Sequence, residues 1–125
     1  MTIKRLAFDT QQHLQAQTRI AFKRSHVYEL LAAAFGFNSY ASLCAAYVFT
    51  QSSLTSRRPA RHGESVGRRS LELDYPPETA LLLAQALAKY LAEQDIGVIR
   101  IADLVAHLRY ETNRVTDHEP DEFDD

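Results

Sequence analysis

The chain has a single cysteine, four glycines and four prolines, and no long apolar run. One cysteine, Cys44, excludes an internal disulfide and a cysteine-based zinc site, and fits a reducing compartment. No apolar stretch approaches the roughly 18–20 residues that span a bilayer. The first residues, Met1 to Asp9, lack the continuous apolar core of a signal peptide, and Asp9 interrupts them early. The expectation is a cytoplasmic protein with no membrane partner. Gly36, Gly63, Gly67 and Gly97 form no phosphate-binding or dinucleotide fingerprint, and the five histidines include no His-x-x-x-His pair.

What chemistry remains has blander readings. Asp103 and His107 lie one helical turn apart, yet a protein metal site needs three or four ligands, so a solvated face or ion pair is expected. Ser25 and His26 are adjacent and point in different directions at a helix start. They read as a capping serine and a packing histidine rather than nucleophile and base. Cys44, beside Leu43, Ala45 and Ala46, reads as a small buried residue. No catalytic residue, metal site or cofactor is expected, and the chain reads as a non-enzyme.

Charge is unevenly spread. Residues 1–52 carry five basic and two acidic groups, and residues 53–69 carry five arginines against Glu64. Residues 70–125 carry four basic groups against thirteen acidic ones. Such asymmetry predicts different partners for the two halves, or attraction between them.

Apolar periodicity predicts an all-α fold, with at most a short two-stranded element, as a small helical bundle. A weak stripe of Ala7, Leu14 and Ala21, filled in by Thr10 and Gln17, predicts a helix over 3–21, with Ile20 and Phe22 pinning the connection after it. Val27, Leu30, Leu31 and Ala34 predict a helix over 26–35. Tyr40, Leu43, Tyr47 and Val48 predict another over 39–51. Ser25 and Asn38 or Ser39 are the candidate caps, and Gly36 the corner between two helices, flanked by Phe35 and Phe37.

Residues 52–69 are rich in Ser, Arg, Gly and Pro and poor in large apolar groups, which predicts a basic flexible linker. Leu71 to Tyr75 alternates and predicts a short extended piece. Pro76 and Pro77 open a strong helix to Glu93. Its Leu81, Leu82, Leu83, Leu87 and Leu91 cover more than one face, so burial over most of the circumference is expected, with Leu82 or Leu83 at a homodimer contact. A short strand is expected within 95–101, then a helix from Ile101 to about Tyr110. Thr116 to Asp125 holds six carboxylates and no Lys or Arg, which predicts a disordered acidic tail. The domain scheme is therefore an N-terminal lobe over 1–51, a linker over 52–69, a C-terminal lobe over 70–115 and a tail over 116–125.

Ser25-His26, Glu29-Leu30-Leu31-Ala32 and Gly36-Phe37, followed by Tyr40 and Leu43, resemble a short helical module of bacterial glyoxalase-related and uncharacterised proteins. The resemblance covers residues 25–43 and implies a helical pair there. It implies no glyoxalase activity, because that chemistry needs metal-ligating His and Glu residues on a β-rich scaffold.

Two functions follow as expectations. The first is a helical interaction or regulatory module that works through protein contacts, with a partner protein or a second copy of itself. The alternative is a small nucleic-acid-binding regulator. It would grip phosphates with Lys23, Arg24, Arg57, Arg58, Arg61, Arg68 and Arg69. Residues 39–51 offer no basic group to a groove, which argues against sequence-specific readout through that segment.

Overall fold

A computed structural model of the chain describes residues 2–51, 58–59 and 63–118, without the side chains of 58–59 and 111–118. In order these form α1 (Ile3–Thr18), α2 (Arg24–Ala34), α3 (Tyr40–Cys44), β1 (Tyr47–Thr50) and β2 (Arg58–Pro59). Then follow α4 (Gly63–Glu72), α5 (Pro77–Glu93), β3 (Gly97–Arg100) and α6 (Ile101–His118). The protein is mostly helical with one small antiparallel sheet, ordered β1-β3-β2. Its register places Tyr47 opposite Arg100 and Thr50 opposite Gly97.

α1 starts where the Thr2 hydroxyl accepts from the Arg5 N–H, and ends at Arg19, whose φ of 59° leaves the helical region. It buries Leu6, Ala7, Thr10 and Leu14, one side of a 3.6-residue repeat. The helix stops short of Ala21, which is exposed. The connection is pinned by side chains: Gln11 Nε2 donates to the Phe22 carbonyl at 2.6 Å, and the Phe22 N–H donates to Gln15 Oε1 at 3.2 Å. Phe22 itself is buried.

α2 is the central helix and buries Val27, Leu30, Leu31, Ala32, Ala33 and Ala34. Ser25 does not cap it; the helix begins at Arg24 and position Lys23 makes no side-chain cap bond. Its C-terminus is a Schellman turn. The Gly36 N–H donates to the Ala33 carbonyl and the Phe37 N–H to the Ala32 carbonyl, with Gly36 at φ 86°. A side chain there is strained. Gly36→Val is expected to destabilise by more than about 1 kcal/mol, read as a lower urea midpoint at unchanged slope.

The corner matches the expected helix pair, but the second helix does not run to residue 51. The Ser39–Ser42 capping box starts α3, which ends after five residues. Tyr47, Val48, Phe49 and Thr50 then become β1. These β-branched and aromatic side chains lose rotamer freedom in a helix and fit a pleated surface, and here a partner strand is present. Phe35 meets Phe49 edge-on at 5.6 Å, and Phe37 meets Tyr47 at 4.9 Å, so the two phenylalanines that flank the corner pack against β1.

The expected linker over 52–69 is corrected from residue 63 onward, where α4 begins. Two residues a turn apart, Val66 and Ser70, are buried, and the Ser70 hydroxyl donates to the Val66 carbonyl at 2.8 Å. That satisfies the hydroxyl inside an apolar contact. Leu71 and Glu72 continue the helix rather than an extended piece. Residues 52–57 and 60–62 of the expected linker lie outside the described residues. A short turn, with Asp74 at φ 71°, joins α4 to α5.

α1, α2, α4 and α5 pack in a closed ring, each against the next. Side chains from Leu6 to Val98 share one core. The separate lobes over 1–51 and 70–115 are therefore corrected to a single packed body.

α5 follows its expected span from Pro77 to Glu93. It is not buried all round. Thr79, Ala80, Leu83, Leu87, Tyr90 and Leu91 face the core, while Leu81 is 60% and Leu82 48% exposed. Leu83, at 0% exposure, is filled in by the chain's own core and is unavailable to a second molecule. α6 runs to His118, beyond Tyr110 and into the first residues of the expected tail; residues 119–125 lie outside the described residues.

Candidate functional site

Glu29 sits on the face of α2 that meets α3 and α4. Its two carboxylate oxygens each lie 3.3 Å from the Tyr40 N–H, at the first residue of α3. One of them also accepts from Arg69 Nη2 on α4 at 2.9 Å. Arg69 Nη1 reaches Glu72 at 3.6 Å. One carboxylate thus orients three helices. Tyr40 also stacks on Tyr28 at 4.8 Å. Burial, then the neighbouring Cys44, pushes the Tyr40 hydroxyl well above the ordinary tyrosine range.

Beside this bridge a polar cavity of about 280 Å³ opens between the end of α2 and α4, lined by Gly36, Asn38, Ser65, Arg68, Arg69 and Glu72. One of its two arginines is committed. Arg69 is held by Glu29 and Glu72, and the α2 C-terminus presents its negative dipole end to the same space.

The other cations expected to grip phosphates are spread out. Lys23 and Arg24 are exposed at the start of α2. Arg24 Nε donates to Gln11 Oε1 at 2.9 Å, and its guanidinium lies 5.5 Å from the Phe8 ring centroid. Arg68 is exposed on α4. Arg58 falls in β2 opposite Val98, and Arg57 and Arg61 lie outside the described residues.

His13 and His26 serve packing. His26 Nδ1 and the Tyr75 hydroxyl are 2.7 Å apart, tying α2 to the turn before α5, and burial raises the Tyr75 hydroxyl. His13 lies on Tyr90 with centroids 4.4 Å apart. Asp103 binds Arg100 at 3.2 Å. Among the described residues no three His, Cys, Asp or Glu side chains converge as a metal site. Cys44 is exposed, correcting the buried reading: α3 is so short that it buries only Leu43.

Among the described residues large apolar side chains remain exposed on four helices, singly at Phe8 on α1 and Leu71 on α4 and in sets on α5 and α6. On α5 they are Leu81 and Leu82. A groove of about 430 Å³ runs beside Leu81, between α4 and α5, over Gly63, Gly67, Ala84 and Ala88. On α6 they are Ile101 at 39%, Val105 at 40%, Leu108 at 55% and Tyr110 at 64% exposure. α6 packs on β3 and on no other element to a comparable extent. No helix among the described residues is long and apolar enough to cross a membrane.

The Glu29–Arg69 bridge and α4 were missed in the sequence because their signal is sparse. A glutamate and an arginine forty residues apart carry no local pattern, and the buried face of α4 is essentially Val66 and Ser70. Compared with protein-family models, curated proteins and solved structures, the chain matches none.

Proposed function

We propose that the protein is a non-enzymatic helical module that acts in the cytoplasm through protein–protein contacts, with a second copy of itself as its first partner. One observation carries this reading. The ring of α1, α2, α4 and α5 closes a core of its own, yet Leu81 and Leu82 on α5 and Ile101 and Val105 on α6 stay exposed. Clustered apolar surface of this kind marks interaction sites. The resemblance over residues 25–43 supports a helical pair as part of the module and no catalytic role.

Size exclusion with light scattering tests it. A dimer mass at high micromolar concentration is expected, falling toward the monomer on dilution. Leu82→Glu should shift the mass to the monomer with an unchanged circular dichroism spectrum. A wild-type monomer at high micromolar concentration would remove the self-association reading.

The nucleic-acid alternative has exposed Lys23, Arg24 and Arg68 to draw on, but the first two stand at the start of α2 and Arg68 beside its end. It requires binding that weakens steeply with salt, through counterion release. Replacing those three residues by serine should then reduce both affinity and salt slope in a titration at two salt concentrations.

A further inference from the structure

Arg24 is held in place without being neutralised. Gln11 Nε2 donates to the Phe22 carbonyl at 2.6 Å, which fixes the amide. Its Oε1 accepts from Arg24 Nε at 2.9 Å, and the guanidinium lies 5.5 Å from the Phe8 ring centroid. The terminal nitrogens Nη1 and Nη2 have no acceptor among the described residues. A planar guanidinium oriented in this way is a fork that matches the two oxygens of a carboxylate. Lys4, one turn before Phe8 on α1, is exposed and enters no ion pair among the described residues; the same holds for Lys23. Asp9, the neighbour of Phe8, is taken by Arg5 at 3.1 Å. Phe8 is 45% exposed. The patch is therefore an exposed aromatic ring with Lys4 toward one side along α1 and the Arg24 fork, anchored on Gln11, toward the other.

We propose that this patch receives the acidic segment 119–125 of a second copy. The proposal rests on the self-association reading above and adds a charged contact to the apolar one. The segment carries Glu119, Asp121, Glu122, Asp124 and Asp125 around Phe123, with no Lys or Arg. Bound as an extended chain, it puts Asp121, Phe123 and Asp125 on one side, an aromatic ring with a carboxylate on each flank. Phe123 then lies on Phe8, and the two aspartates meet Arg24 and Lys4. The spacing agrees. Residues 121 and 125 stand about 13 Å apart in an extended chain. Lys4 and Gln11 are about 10 Å apart along α1 at 1.5 Å per residue.

The segment is delivered away from its own patch. α1 and α6 both start beside the sheet. Ile3 and Tyr47 line one small cavity, and the Ile101 N–H donates to the Ala46 carbonyl at 2.7 Å. From Val105 to Tyr110 every residue of α6 is exposed, and the helix packs on β3 and on no other element to a comparable extent. Its 18 residues rise about 27 Å. Phe123 follows His118 by five residues, a reach of about 17 Å at full extension. That is too short to retrace the helix to Phe8 of the same chain, so a neighbouring molecule is the acceptor. Two such contacts, each returned by the other copy, close a symmetric pair, and each gains from the effective concentration the other provides.

Fluorescence anisotropy with a labelled peptide of residues 117–125 tests the patch. The receiving protein is the full chain carrying Glu119→Gln, Asp121→Asn, Glu122→Gln, Asp124→Asn and Asp125→Asn, so that its own segment does not compete. Binding is expected at low salt and should weaken at high salt as the charges are screened. Arg24→Gln in that protein should weaken it about tenfold, and Arg24→Lys nearly as much, since lysine keeps the charge and loses the fork. Phe123→Ala in the peptide should weaken it as well. Circular dichroism checks that the variants stay folded. No binding at low salt would overturn the proposal, as would binding that either Arg24 variant leaves unchanged. A single-stranded DNA oligonucleotide that binds through Arg24 where the peptide does not would overturn it in favour of nucleic acid. Sedimentation equilibrium tests the contact between copies. At low salt the wild-type dimer should be about tenfold tighter than that of the chain with the five amides, and at high salt the two should be equal. A dimer equally tight with and without the carboxylates at low salt removes this proposal alone. A monomeric wild type at high micromolar concentration removes the self-association reading with it, so the two failures are told apart.

Discussion

Leu83→Glu is expected to unfold the protein, while Leu82→Glu, one residue away, leaves the fold intact. Successive residues step about 100° around a helix, so neighbours on α5 see different surroundings. Leu83 has no exposed surface and belongs to the core shared by the four packed helices. Removing a buried leucine side chain alone costs about 2.7–5 kcal/mol. A carboxylate at the same place must also be desolvated, and no cation is buried among the described core residues to receive it, so it must be protonated or drag water inward. The total rivals the 5–15 kcal/mol that holds a typical domain together. Leu82, at 48% exposure, gives up little packing within its own chain. Circular dichroism at 25 °C and thermal melts of both variants check the contrast. A folded Leu83→Glu protein melting near wild type would refute the packing of α5 described above.

This pair of leucines shows where the sequence is legible. Pro77 at the helix start and the apolar repeat that follows mark the span of α5. They do not say which leucines face inward, because the stripe has more apolar residues than one face needs. The facing is settled by packing against α4, which the sequence pattern does not mark as a helix, and against α1, which lies far away along the chain. Gly36 was legible for the opposite reason: a Schellman turn is local, and glycine is the residue that takes φ 86° without strain. Local propensity also misled. Tyr47 and Val48 continue the apolar spacing of a helix, but pairing with Ile99 and Arg100 turns them into a strand. α4 is the reverse case. Gly63, Gly67, Arg68 and Arg69 suggest a linker, and only packing against α2 and α5 makes the segment a helix. Of the candidate site, the apolar positions of α6 could be read from periodicity, whereas the exposure of Leu82 rather than Leu83 could not. The α4–α5 groove could not, because it exists only once α4 is helical.

Glu29→Ala is expected to destabilise the protein by about 2–3 kcal/mol, more than any single surface ion pair supplies. The carboxylate is partly buried, with 23% of its side chain exposed against 25% for Arg69. It accepts from a guanidinium and from the first N–H of α3. Its loss leaves Arg69 with only the longer Glu72 contact and leaves the Tyr40 N–H without its side-chain acceptor. Removing one member of such a pair costs more than removing both, because an unpaired buried charge remains. A double-mutant cycle separates these effects. Arg69→Met alone should also destabilise, since Glu29 then keeps only the Tyr40 N–H. The Glu29→Ala/Arg69→Met protein should be more stable than the sum of the two losses predicts, giving a coupling of about 1–3 kcal/mol. Urea denaturation of the four proteins measures it. Additive losses would show that the bridge is incidental, and that α2, α3 and α4 are held together by their apolar contacts alone.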